Sequence, residues 1–180
     1  MIKFTNHPWI AAATMAMVFS SCNTAKEKGK TQTILLPAQA EVYNPYGERS
    51  ANASRLKSPH ARIYTAVNVS CATCLLSLEN WDHFQTEIAQ YHVPVIPICR
   101  SKDGFETLKF LFENNKIEKI HLSLILDLKN AFIQQNKGLA GDRDELTVLV
   151  DANDQVLLSG DPIYDESTKD KFIKKIQEIK

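Results

Sequence analysis

The residues of this chain best suited to chemistry are two cysteines with two residues between them, in Ser70-Cys71-Ala72-Thr73-Cys74. They stand where an apolar extended run gives way to a helical pattern that starts at Leu75 and continues through Leu78, Trp81 and Phe84 to Ile88. Such a pair makes one thiol nucleophilic and lets it close readily into a disulfide with the other. If the helix begins at about Cys71, that sulfur meets free backbone N–H groups and the positive end of the helix dipole, and both favour thiolate over thiol. Thiols so placed titrate at roughly 3.5–7.5 instead of about 8.5. Cys74 falls on the same helix face, three residues on. The bland alternatives are a structural disulfide or two idle thiols; a zinc site would need two further ligands.

The elements that must position this pair follow from periodicity. Ile63, Thr65, Val67 and Val69 alternate with Tyr64, Ala66 and Asn68, the pattern of a central strand running into the cysteines. Leu78, Trp81, Phe84 and Ile88 mark the buried face of a helix reaching about residue 90. A strand is expected over 93–99, with Pro94 and Pro97 pointing to edge or irregular geometry, then a helix over 103–114. A strand over 122–126 and a helix over 128–135 come next. Residues 146–150 and 155–158 flank Asp151-Ala152-Asn153-Asp154 as a hairpin, and a last helix over 165–180 opens on Asp165-Glu166-Ser167. Cys99, ending a strand, reads as a small buried hydrophobe, and Trp81 as packing. His83 reads as solvated beside Asp82, and His92 and His121 flank strands without a metal role.

The 180 residues carry 21 basic and 21 acidic side chains, and this balance offers no electrostatic case for nucleic acid. Four cysteines are too few for a disulfide scaffold. Residues 1–22 read as a targeting segment: Lys3 supplies a positive start, 9–19 is an apolar run too short for the roughly 20 residues of a membrane span, and Phe19-Ser20-Ser21-Cys22 closes it. This segment resembles a lipoprotein signal, which implies lipidation at Cys22 and export from the cytoplasm. Residues 23–60 lack core periodicity and are expected to form a tether and lead-in, although 33–36 has the makings of a short strand; the globular domain is expected over 61–180.

A strand ending in Cys-x-x-Cys, a βαβ unit, then a hairpin and a final helix together resemble the thioredoxin fold. The chain is most similar to the membrane-tethered oxidoreductases of the TlpA and ResA kind, in their Bacteroidetes lipoprotein form. The most specific matches are Cys71-Ala72-Thr73-Cys74 with Trp81 downstream, and the hairpin stretch from Thr147 to Val156. The resemblance implies an α/β, thioredoxin-like domain with a mixed central sheet and helices on both faces. It also implies Cys71 as the attacking cysteine, Cys74 as the resolving one, and substrate contacts from Ser70, Ala72, Thr73, Glu145 and Leu146. It requires no cofactor and no metal. Partners would be thiol- or disulfide-bearing envelope proteins facing the periplasm, a membrane thiol reductase, and the membrane itself through a lipid anchor. Three departures from the family pattern are visible. Ser70 stands where a Trp is usual, residues 141–146 contain no proline where a cis-proline is common, and residues 61–70 contain no carboxylate to serve proton transfer. The competing class is a redox-inactive binding module or a Sco-type copper carrier. Peroxide reduction would want a different context around Cys71.

Overall fold

The computed structural model describes residues 32–45, 56, 60–117, 120–140 and 145–179, without the side chains of Ala72 and Thr73. The expected targeting segment over 1–22, Cys22 and the stretch 23–31 lie outside the described residues.

Six strands form one mixed sheet in the order β1-β4-β3-β2-β5-β6. They are β1 (Ala40–Tyr43), β2 (Ala61–Asn68), β3 (Val95–Arg100), β4 (Leu124–Asp127), β5 (Thr147–Asp151) and β6 (Val156–Ser159). β2, β3 and β4 run parallel, joined through helices α1 (Ala72–Glu87) and α2 (Glu106–Glu113). Two short helices, α3 (Phe132–Gln135) and α4 (Lys137–Ala140), lead to the antiparallel β5–β6 hairpin, and α5 (Glu166–Glu178) ends the chain.

Strand alternation divides the interior in two. Ala61, Ile63, Val67 and Val69 of the β2 stretch, with Val95, Cys99, Leu124 and Leu149, face a layer made by α1, α2 and α5. Tyr64, Ile96, Ile98, Ile125, Val148 and Val150 face the other way, against Phe132, Ile133, Ala140 and Ile34. Helices therefore lie on both faces of the sheet, as expected. Leu75, Leu78, Trp81, Phe84 and Ile88 are all buried, so the helical period anchors α1 over the sheet. Burying one such side chain is worth about 1.5–3 kcal/mol, which outweighs the few tenths separating ordinary helix propensities.

Three expectations are corrected. The first concerns the lead-in: part of it, residues 32–45, packs onto the sheet. Ile34 is only 3% exposed within the second core, and β1 adds an antiparallel edge to β4. Asn136 ties this segment down: its side chain accepts from Leu35 N–H at 2.9 Å and donates to the Leu35 carbonyl at 2.8 Å. A stretch without core-forming periodicity is thus tied down by hydrogen bonds to a residue 101 positions away. The second correction concerns β3, which is central and not an edge. Ile63 N–H donates to the Pro94 carbonyl and Val69 N–H to the Arg100 carbonyl, so the even-numbered backbone groups of β3 face β2. Pro97 faces β4, whose pairing starts only at Ile98 with Ile125, and its missing N–H leaves no gap in that ladder. The third is the helix expected over 128–135. The Asp127 carboxylate instead accepts from Lys129 N–H at 3.3 Å and Phe132 N–H at 2.7 Å, holding residues 128–130 as a turn and delaying α3.

The hairpin and the last helix follow the sequence pattern. Asp151 Oδ1 accepts from Asn153 and Gln155 N–H at 2.8 and 2.9 Å, and Asp165 caps α5 by accepting from Ser167 N–H at 3.2 Å. The hairpin is locked to β2 by Arg62, a buried cation 3.0 Å from Asp154 that also donates to the Ala152 carbonyl at 2.9 Å. Burial, and then the Asp154 charge, push the neighbouring Tyr64 hydroxyl up to about 12.

Asn136→Ala leaves the Leu35 backbone groups without their partner. The expected cost is about 1–3 kcal/mol in urea unfolding, with proteolytic cleavage after residue 32 appearing in the folded variant. Unchanged stability and protection would show that the segment is held by packing alone.

Candidate active site

β2 delivers the chain to Cys71 in extended conformation (φ −147°, ψ 155°), and α1 starts at the next residue. Cys71 is the N-cap of α1, and its Sγ accepts from Cys74 N–H at 3.2 Å. Sulfur thus takes the place of the usual oxygen cap at a helix end where backbone donors are unsatisfied. The two cysteines are joined as a disulfide, with Cα atoms 5.1 Å apart. Their surroundings differ: Cys71 is exposed and Cys74 half-buried. An incoming thiol meets Cys71 first.

The other residues singled out in the sequence separate. Ser70 is half-buried and already engaged, its N–H donating to Asn68 Oδ1 at 3.0 Å and its Oγ accepting from Lys102 N–H at 3.0 Å. Where a Trp would cover the site, Ser70 pins the cysteine loop to the β3–α2 loop. That loop is itself braced: Ser101 exchanges bonds with the Asn130 amide at 3.2 and 3.1 Å and contacts the Asp103 carboxylate. Asp103 also accepts from Phe105 and Thr107 N–H at the start of α2. The Ser101 hydroxyl first, and then these Thr107 and backbone bonds, pull its carboxyl down to about 2. Glu145 is exposed on the wall of a hollow shared with Cys74. Leu146, expected among the contacts, is turned into the second core and is 3% exposed. Its carbonyl accepts from Ala66 N–H at 2.8 Å. No cis peptide occurs among the described residues. Cys99 is fully buried, and burial pushes its thiol far up, which makes it inert. Trp81 is buried and packs edge-on against Phe84, with ring centres 5.9 Å apart. His83 is exposed; Asp82 turns instead to His121, accepting from its N–H at 2.7 Å.

Behind the disulfide lies a hollow of about 590 Å³, lined by Cys74, Ser77 and Trp81 of α1, Thr65 and Asn68 of β2, Arg100 of β3, Thr147 of β5, and Glu145, Asp161 and Tyr164. Arg100, Asn68 and Asp161 line this hollow, and motif reading passed over them. Two polar residues at the C-terminal ends of apolar strands were the available signal, because sites in open α/β sheets collect there. Asn68 and Arg100 are in fact register partners.

No protein-family model matches the sequence, and no curated protein matches it. Solved structures do share the architecture. A protein from Chlorobium tepidum, provisionally assigned as the thiol:disulfide interchange protein DsbE, aligns with a TM-score of 0.54 at 16% identity, over 80% of this chain and 99% of that one. The fold is thioredoxin-like. A SCO1/SenC family lipoprotein from Bacillus anthracis aligns with a TM-score of 0.52 at 16% identity, over 84% of this chain and 98% of that one. The peroxidoxin BcpB from Mycobacterium tuberculosis aligns with a TM-score of 0.51 at 15% identity, over 83% and 97%. These names cover different chemistries on one thioredoxin-like frame, so function has to be read from the residues around Cys71 and Cys74.

The Asp103 brace has a pH signature. Its folded carboxyl titrates below its ordinary value, so the stability it contributes is present near neutrality and is lost as pH falls from about 4 through about 2. Asp103→Asn is expected to lower the unfolding midpoint at pH 7, with the difference from the parent chain shrinking over that acid range. A difference independent of pH would rule out the carboxylate as the bracing group.

Proposed function

We propose that this chain is an exported, membrane-anchored thiol–disulfide oxidoreductase that exchanges disulfides with partner proteins of the cell envelope. The observation that carries the reading is the Cys71–Cys74 bridge at the start of α1, with Cys71 exposed and Cys74 half-buried. In the reducing direction, the Cys71 thiolate attacks one sulfur of a partner's disulfide. A mixed disulfide forms, and the partner's other sulfur departs as thiolate and takes a proton from water. Cys74 then attacks Cys71 Sγ, closing the pair and releasing the partner's second thiol. Two electrons pass to the partner, and a membrane thiol reductase returns the pair to its reduced form. Cys71 serves as nucleophile because the end of α1 stabilises its thiolate and because it is the sulfur that a partner reaches.

Anchoring rests on the lipoprotein-like segment ending at Cys22. No helix among the described residues is long and apolar enough to cross a membrane. Among the same residues no group of three or more His, Cys, Asp or Glu is placed to hold a metal ion.

Insulin-disulfide reduction with dithiothreitol as electron donor tests the reading. The parent chain should accelerate it, Cys71→Ser should return the rate to background, and Cys74→Ser should accumulate mixed disulfides with envelope proteins in the native cell. Equal rates for parent and Cys71→Ser would sink the proposal.

A further inference from the structure

Helices α3 and α4 have four residues each, so they cover the second face of the sheet only in part. Elsewhere on that face, away from α1, lies a cavity of about 260 Å³. Its floor follows from strand alternation: Arg62 and Tyr64 stand two apart on β2, and Val42 of β1 is the register partner of Ile125 of β4. Leu36 and Pro37, from the segment that Asn136 ties down, form a wall with Leu56. At the roughly 30 Å³ that a water molecule occupies in the liquid, the space suits a ligand of about eight non-hydrogen atoms.

Within these apolar walls the polar groups form one cluster. Arg62 is 4% exposed; its Nε donates to Asp154 Oδ1 at 3.1 Å and its Nη2 to the Ala152 carbonyl at 2.9 Å, while the Tyr64 hydroxyl donates to the same Oδ1 at 3.4 Å. Every hydrogen bond of the guanidinium leaves from Nε or Nη2. Nη1, with two N–H donors, meets no acceptor among the described residues. A buried donor without an acceptor is costly, and the cavity that Arg62 lines is the space from which one can come. The cluster also sets the charge of that acceptor. Asp154 already neutralises Arg62, and burial keeps the Tyr64 hydroxyl protonated by pushing it up to about 12. An added carboxylate would face the Asp154 charge with no second cation among the cavity-lining residues to offset it, whereas an uncharged acceptor meets no such opposition.

We propose that this cavity binds a small uncharged aliphatic molecule with a carbonyl oxygen at one end, the oxygen accepting from Arg62 Nη1 and the chain lying against Leu36, Val42, Leu56 and Ile125. A carbonyl suits the site better than a hydroxyl, because it brings no further donor that the apolar walls would leave unsatisfied. Occupancy ties the segment around Leu36 to β2 at the point where Arg62 also holds the hairpin through Asp154 and Ala152. The site does not depend on the redox reading, since the disulfide belongs to the α1 side of the sheet.

Titration of the full chain with 2-heptanone, which has the size the cavity admits, is read by NMR from the methyl groups of Leu36, Val42 and Ile125 and from the guanidinium N–H signals of Arg62. Saturable shifts at both are expected, with slower solvent exchange of the Nη1 protons. Hexanoate, its charged counterpart of similar size, should bind about tenfold more weakly or worse. Ala40→Phe, which fills space at the cavity wall and leaves every partner of Arg62 unchanged, should weaken 2-heptanone by a similar factor. Methyl shifts without any change at Arg62 would overturn the assignment, since they mark an apolar cavity whose Nη1 is served by water. So would hexanoate binding as tight as that of the ketone, unaltered binding in folded Ala40→Phe, or no saturable shift in the parent chain. If Ala40→Phe does not fold, the guanidinium signals of the parent chain decide alone.

Discussion

The abrupt change from extended backbone to helix at Cys71 is the constraint on which the rest of this structure depends. β2 brings the chain to that point, and α1 must leave it at once, so the residue at the junction has to satisfy the first helical N–H groups. Cys71 does so with sulfur, at 3.2 Å from Cys74 N–H. The cap and the helix dipole together contribute on the order of 1–2 kcal/mol, whereas the buried side chains of α1 contribute several times more. Burial therefore holds the helix in place, and the end effects are left free to shape the chemistry of the sulfur.

Keeping that junction still takes more than α1. Ser70 accepts from Lys102 N–H, Ser101 is braced by Asn130 and Asp103, and Asn130 follows β4. The C-terminal ends of three parallel strands are thereby joined by side-chain bonds to backbone groups around the cysteine loop. Hydrogen bonds of this kind contribute about 0.5–1.5 kcal/mol each, but several of them converging on one loop remove its freedom to move. A Trp covering the disulfide would shield the same spot by bulk; here a small hydroxyl secures it by direction.

Much of the framework was legible because periodicity maps directly onto burial. The alternation of Ile63, Val67 and Val69 against Tyr64 predicted a central strand, and the structure covers both of its faces. The turn at Asp151–Asp154 and the cap at Asp165 were legible because Asp binds the N–H groups that follow it closely in sequence. Failures came where distance in sequence decided the outcome. Residues 32–45 carry no helical or strand period strong enough to announce a role, and their place depends on Asn136 and on the free edge of β4. Pro97 reads as an edge marker, yet it is accommodated in a central strand because its pairing with β4 begins one step beyond it.

The sequence by itself determined the cysteine pair, the helix that starts beside it and the order of elements from β2 to β4 and from β5 to α5, since each is set by residues within a turn or two of one another. Tertiary structure alone decided what surrounds the sulfurs. Arg100 reaches the hollow of Cys74 through the parallel register of β2 and β3, and Leu146 is lost to the core through the alternation of the β5 approach. Chain-local rules fix backbone conformation, but the charge and exposure felt by a sulfur are sums over neighbours that only packing brings together.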